Sequence, residues 1–300
     1  MSTQSPTHGR RLLTVYASAA VLAMLASCAA PPPVDPLIDD AALAELSALV
    51  TTDGLAHEPV ESRGTVESTY AVVRIAADKT GQVLNDRTVA SLRSHLDEVE
   101  PATLATVREQ VEALGALVAL GQDDPHRAAI VANARKVLAQ PVGPAELEAA
   151  ARALEALQRM GESAQGLAPI RLDGLAPQDP RAAWALRLQQ LTGQTAGTAT
   201  WRSAAVEATR QRIAQWAAPA PTAGFWVDAR ALVGTQDLDE ASMRRMYDVA
   251  RSTRGCSAYP HLFNAGGGAD LCDLIVIADA VEATGTEESR KPDSNSWPTP

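Results

Sequence analysis

Between residues 39 and 285 apolar residues recur at spacings of three and four, the period of an amphipathic helix. In 65–79 the positions Val66, Tyr70, Val73 and Ala77 share one face. In 103–120 Leu104, Val107, Val111, Leu114 and Val118 do the same, and in 144–160 Leu147, Ala150, Leu154 and Leu157. Pro101, Pro125, Pro144 and Pro180 stand where a first helical turn tolerates proline. Asp124 and Asp179, each just before a proline, read as N-caps. No stretch alternates convincingly with the period of a strand, so an all-α domain is expected over 41–285.

Gly81, Gly121, Gly161, Gly193, Gly234 and Gly285 each follow an apolar helical stretch and read as helix stops. They lie roughly 40 residues apart, the length of one helical hairpin per repeat. The pieces running from Val66-Glu67-Ser68 to Thr80-Gly81 and from Gly266-Gly267-Gly268 to Thr284-Gly285 share a layout. A polar start turns apolar and ends in glycine. They resemble the inner helices of the α/α toroid of terpenoid cyclases and protein prenyltransferases. The alternatives are an open α-solenoid or an irregular helical bundle. The resemblance implies that inner-helix starts converge on a cavity. The candidate pocket is Glu67 and Tyr70; Arg181 and Trp184; Trp226, Asp228 and Arg230; Asp270 and Asp273; with Tyr259 and His261 on a nearby loop.

The N-terminus carries a different signal. Arg10 and Arg11 precede an apolar run over 12–26 that ends in Leu25-Ala26-Ser27-Cys28. That run is shorter than the ~20 residues a membrane span requires. It reads as a secretory signal peptide. Leu25-Ala26-Ser27-Cys28 resembles the lipobox of bacterial lipoproteins. The resemblance implies a diacylglyceryl group on the Cys28 sulfur, cleavage before Cys28, and acylation of the new amino group, with palmitate as an acyl chain. The expected organisation is a signal peptide over 1–27, a lipid-anchored Pro-rich linker over 28–40, the helical domain over 41–285, and a polar disordered tail over 286–300. The chain is therefore expected outside the cytoplasm, on the cell membrane or envelope, with the membrane as a partner through the lipid anchor.

Charge narrows the partners further. The net charge is −10, and removal of the first 27 residues leaves 24 basic against 36 acidic residues, net −12. Nucleic acid is excluded, since phosphate binding needs a basic face. Of three cysteines, only Cys256 and Cys272 remain once Cys28 carries lipid. An even pair in an exported chain reads as a disulfide.

Candidate chemistry is thin. Asp270-Leu271-Cys272 resembles the Asp-x-Cys zinc pair of protein prenyltransferases. Zinc needs a further ligand, usually His, and no His follows His261, so no metal is expected. Asp237-Leu238-Asp239-Glu240 resembles the acid motif of class II terpene cyclases, with Glu in the last place. Aromatics, at 4%, are few for lining a carbocation cavity. Asp239 reads as a helix cap. There is no nucleophile elbow, phosphate loop or dinucleotide fingerprint. No catalytic residue and no cofactor are expected. The function expected is non-catalytic binding of an unknown small molecule or protein partner at the outer face of the membrane. The alternative is a degenerate or divergent terpenoid cyclase- or prenyltransferase-like enzyme acting on an isoprenoid or lipid-like substrate.

Overall fold

The computed structural model describes residues 37–100, 102–195, 197–215, 223–233, 238, 246, 248–250, 252–256, 258–263 and 272–285. The chain divides into two units, 1–36 and 37–300, and every described residue lies in the second. It is mostly helical, with a small two-stranded sheet. The helices are α1 (Asp40–Ala48), α2 (Val66–Ala76), α3 (Thr80–Val83), α4 (Asp86–Glu98), α5 (Leu104–Ala119), α6 (Arg127–Leu138), α7 (Leu147–Arg159), α8 (Ala182–Thr192), α9 (Ala199–Gln215), α10 (Ala223–Val233) and α11 (Leu274–Thr284). Strands β1 (Arg254–Cys256) and β2 (Tyr259–Phe263) pair antiparallel. No described helix is long and apolar enough to cross a membrane.

Local chemistry sets most of the boundaries. Thr65 and Thr103 cap α2 and α5, their hydroxyls accepting from the Ser68 and Thr106 amides. Gly121, Gly161 and Gly193 have positive φ, and Gly193 caps α8 in the left-handed conformation. Gly81 behaves differently. Helix α2 ends at Ala76, Ala77 turns at φ 49°, and Gly81 falls inside α3. Helices α6, α7 and α8 start two or three residues beyond Pro125, Pro144 and Pro180. Asp124 and Asp179 accept from the His126 and Arg181 amides in the preceding turns, so they hold those turns.

Six helices contact one another in a connected series. α2 packs on α5, α5 on α7, α7 on α8, α8 on α10, α10 on α11, and α11 on α2. Close approach depends on small residues. Ala113, Ala116, Ala150, Ala153, Ala156, Ala185, Ala229, Ala278 and Ala280 are fully buried. At Gly115 of α5, a Cβ would come within 3.0 Å of the Tyr70 ring, so glycine is what lets α2 and α5 approach this closely. Helix α7 is buried nearly all round from Ala150 to Leu157, which marks it as a central element.

The sheet corrects the purely helical expectation. Its strands are three and five residues long and contain Gly255 and Pro260, too short and irregular to show a period of two. The edge of β2 is covered by α1, where Glu45 accepts the His261 and Leu262 amides at 3.0 and 2.9 Å. Cys256 in β1 is disulfide-bonded to Cys272, with Cα atoms 5.8 Å apart, which ties the hairpin to the start of α11. Alkylation followed by mass spectrometry should leave both cysteines unlabelled until a reductant is added. Reduction should lower the unfolding free energy by about 3 kcal/mol. Labelling without reductant would contradict the bridge.

Candidate functional site

Arginine and carboxylate side chains from five of the six helices, α2, α7, α8, α10 and α11, meet in the interior. Asp279 of α11 is 1% exposed and accepts from three guanidinium groups. Arg74 Nη2 and Arg230 Nη1 (2.7 Å) reach its Oδ1, and Arg152 Nη2 reaches Oδ2 at 3.2 Å. One turn on, Glu282 pairs with Arg74 Nε at 2.8 Å, with Arg230 Nη2 at 2.6 Å, and with Arg159. Glu155 of α7 pairs with Arg230 Nη2 at 2.6 Å and Arg187 Nε at 2.7 Å. Burial alone would raise the Asp279 carboxyl. Arg152, Arg230 and Arg74 outweigh it and hold the group well below the ordinary range. Glu282 is likewise held low against burial, by Arg159, Arg230 and Arg74.

Glu112 of α5 lies beside this network without sharing in it. It is 2% exposed, its Oε2 has no hydrogen-bond partner among the described residues, and Arg108 Nε lies 3.9 Å away. Burial pushes its carboxyl up to about 7, with Glu67 adding repulsion against the opposing pull of Arg108. Glu58, in the segment before α2, is also pushed up to about 7, first by burial and then by Asp273. Its Oε2 accepts the Leu274 amide at 2.8 Å and its Oε1 the Ser68 hydroxyl at 2.9 Å, so it bridges the starts of α11 and α2.

Above the network a cavity of about 680 Å³ opens at the N-terminal ends of α2, α7, α8, α10 and α11 and the C-terminal end of α9. Arg152 and Asp279 connect it to the network below. Glu67, Glu148, Arg181 and Asp273 bring charge to its walls, while Trp184, Phe225, Val227, Ile275 and Val276 supply apolar surface. Arg212 of α9 binds Asp228 of α10 through two contacts of 2.7 Å. Burial raises the Asp228 carboxyl despite this pair. The Arg152 guanidinium lies 5.0 Å from the Trp184 ring centroid and covers that face of the indole.

Of the residues expected at a pocket, Glu67, Arg181, Trp184, Asp228 and Asp273 line this cavity. Arg230 lies in the ion network. Tyr70 is buried against Gly115, and Trp226 is fully buried in the core beside Phe225, ring centroids 4.8 Å apart. Tyr259 and His261 lie on β2, which packs on α1. Asp270 is outside the described residues, as are Asp237, Asp239 and Glu240; Leu238 packs against the core. Cys272 is oxidised in its disulfide and has no thiolate to offer zinc. Among the described residues no three His, Cys, Asp or Glu side chains are placed to hold a metal ion. Sequence reasoning missed Glu148, Arg152, Arg212 and Asp279. The Glu148–Arg152 pair at i,i+4 was a usable signal. The Arg212–Asp228 pair joins two helices and leaves no local trace.

Comparison with protein-family models, with curated proteins and with solved structures finds no match.

The two raised glutamates set a pH dependence. An acid whose folded pKa lies above its unfolded value stabilises the fold fully below the unfolded value, near 4.5 for Glu112. That contribution is lost as pH rises through about 7. Asp279 and Glu282 act oppositely, contributing above their unfolded values and losing that contribution in acid. Glu112→Gln should therefore gain stability relative to the native protein between pH 5 and pH 8, by up to about 3 kcal/mol. Denaturant titrations at the two pH values measure it. A difference independent of pH would show that Glu112 does not titrate in this range.

Proposed function

We propose that this chain is an exported lipoprotein, anchored through acyl groups on Cys28, that binds a small-molecule ligand without catalysis at the outer face of the membrane. The observation that carries the reading is the cavity of about 680 Å³ at the helix starts, whose wall combines apolar and charged side chains. We further propose that the six-helix series is an α/α toroid. Support comes from the contacts, which begin and end on α2, and from the five helix starts that share one cavity.

The lining favours binding over isoprenoid chemistry. Carbocation stabilisation calls for open aromatic faces, whereas Arg152 covers a face of Trp184 and Phe225 is only 3% exposed. A proton donor for an alkene must be a free acid. Asp228 is held by Arg212 and Asp279 by three arginines, and Asp273 serves as the cap of α11, its Oδ1 accepting the Val276 amide.

Anchoring and binding are tested separately. Cys28→Ala should abolish fatty-acid labelling and detergent-phase partitioning; retained label would end the lipoprotein reading. For the cavity, Val227→Trp places an indole within the lining. A small-molecule extract of the cell envelope should raise the melting temperature of the native protein by a few degrees. It should leave Val227→Trp unmoved, and mass spectrometry should recover the released ligand unaltered. An equal rise in both proteins would place binding elsewhere. A chemically converted ligand would favour the enzyme reading.

A further inference from the structure

Resting on the reading of the cavity as a ligand site, we propose that the ligand it accepts is an organic cation, an ammonium group carried on an apolar chain, with the ammonium at Asp273. The charges already satisfied leave Asp273 as the group to be met. Each guanidinium at the cavity has its own carboxylate: Arg152 has Glu148 and Asp279, Arg181 has Asp179, and Arg212 has Asp228. Asp273 meets no cation among the described residues. It caps α11 by accepting the Val276 amide at 3.0 Å through Oδ1, which leaves Oδ2 open.

An independent feature lies behind the same wall. Glu112 is nearly fully buried with an Oε2 that makes no hydrogen bond among the described residues; Arg108 is the charge that acts on it most, and Glu67 and Arg152, which both line the cavity, act on it in opposite directions. Glu58 adds a further carboxyl beside Asp273. The lining carries five carboxylates, Glu67, Glu148, Asp228, Asp273 and Asp279, against three guanidiniums, Arg152, Arg181 and Arg212, a deficit of positive charge. An ammonium supplies it with three N–H donors and needs no displacement of an internal pair. Ile275 and Val276 lie next to Asp273 on α11, and Phe225 and Val227 come from α10, so an alkyl chain has apolar surface beside its charged end. An anion would have to compete with the carboxylates already bound to the arginines. The net charge of −12 on the chain from Cys28 also draws cations from solution.

The test uses three probes of equal chain length: octylammonium, octanol and octanoate. They are titrated calorimetrically at pH 8 and low ionic strength into the chain from residue 28 carrying Cys28→Ala, which removes detergent from the experiment. Octylammonium should bind about tenfold more tightly than octanoate, and added salt should weaken it while leaving octanol unchanged. Asp273→Asn keeps the helix cap, because Asn caps about as well as Asp. It should remove most of the preference for the amine and leave octanol binding as it was. Octanoate binding as tightly as the amine would overturn the proposal, as would an Asp273→Asn protein that keeps the preference. Octanol binding with no amine preference would overturn it while leaving the cavity reading intact. Binding of none of the three would overturn both.

Discussion

A carboxylate cannot be taken out of water alone, and Asp279 is almost completely out of water. The penalty of several kcal/mol per buried ion is offset only when partners arrive with good geometry. The partners of Asp279 come from α2, α7 and α10, so the ionised state of one side chain on α11 requires three other helices to be in place. Glu282 repeats the requirement one turn later, and Glu155 extends it to α8. Apolar contacts among alanines and leucines supply the larger share of the driving force, but they are undirected. The ion network is directed. It admits few alternative registers for these helices, since sliding any one of them by a turn would strand a buried charge.

The network also decides where the cavity lies. Arginine and glutamate side chains fill the interior at the level of Asp279, and the space that remains is at the helix starts. Those positions suit acids, because the exposed amides of a first turn favour negative charge. Glu67 and Glu148 occupy the second positions of α2 and α7, and Asp273 is the cap of α11. The same local rule that stabilises each helix end thus collects carboxylates around one opening. Two of the three find an arginine, Arg108 for Glu67 and Arg152 for Glu148.

What was legible in the sequence follows from the range of the interactions. Helices α2, α5 and α7 were readable because their apolar faces repeat every three or four residues, and their ends fell within three residues of expectation. The even pair of cysteines likewise needed no knowledge of the fold. The small sheet was not legible: Arg254–Cys256 and Tyr259–Phe263 are held by a disulfide to α11 and by Glu45 on α1, neither of which leaves a local pattern. Gly81 misled for the opposite reason, since a glycine after an apolar run looks the same whether the chain turns there or at Ala77. At the cavity, four of the five residues foreseen correctly, Glu67, Arg181, Trp184 and Asp273, sit at helix starts, and Asp228 sits midway along α10. Tyr70, Trp226 and Arg230 were misplaced because sequence position fixes the level along a helix more readily than which neighbour the side chain meets. Arg230 points into a network assembled from residues more than 200 positions apart in sequence, as Arg74 and Glu282 are.

The start of α11 is where these constraints meet. Cys272 ties it to β1, Glu58 ties its first amide to the Ser68 hydroxyl of α2, and Asp273 caps it. A helix of eleven residues would be marginal alone, and this one carries Asp279 and Glu282 on which the interior depends. Fixing its first turn by a covalent bond, a bridging carboxyl and a cap therefore holds the two acids in register with their arginines. The same three ties hold the stretch of wall from Asp273 to Val276 against the cavity. Rigidity needed for the interior is thereby delivered to the cavity wall, so the proposed ligand site is formed before any ligand arrives.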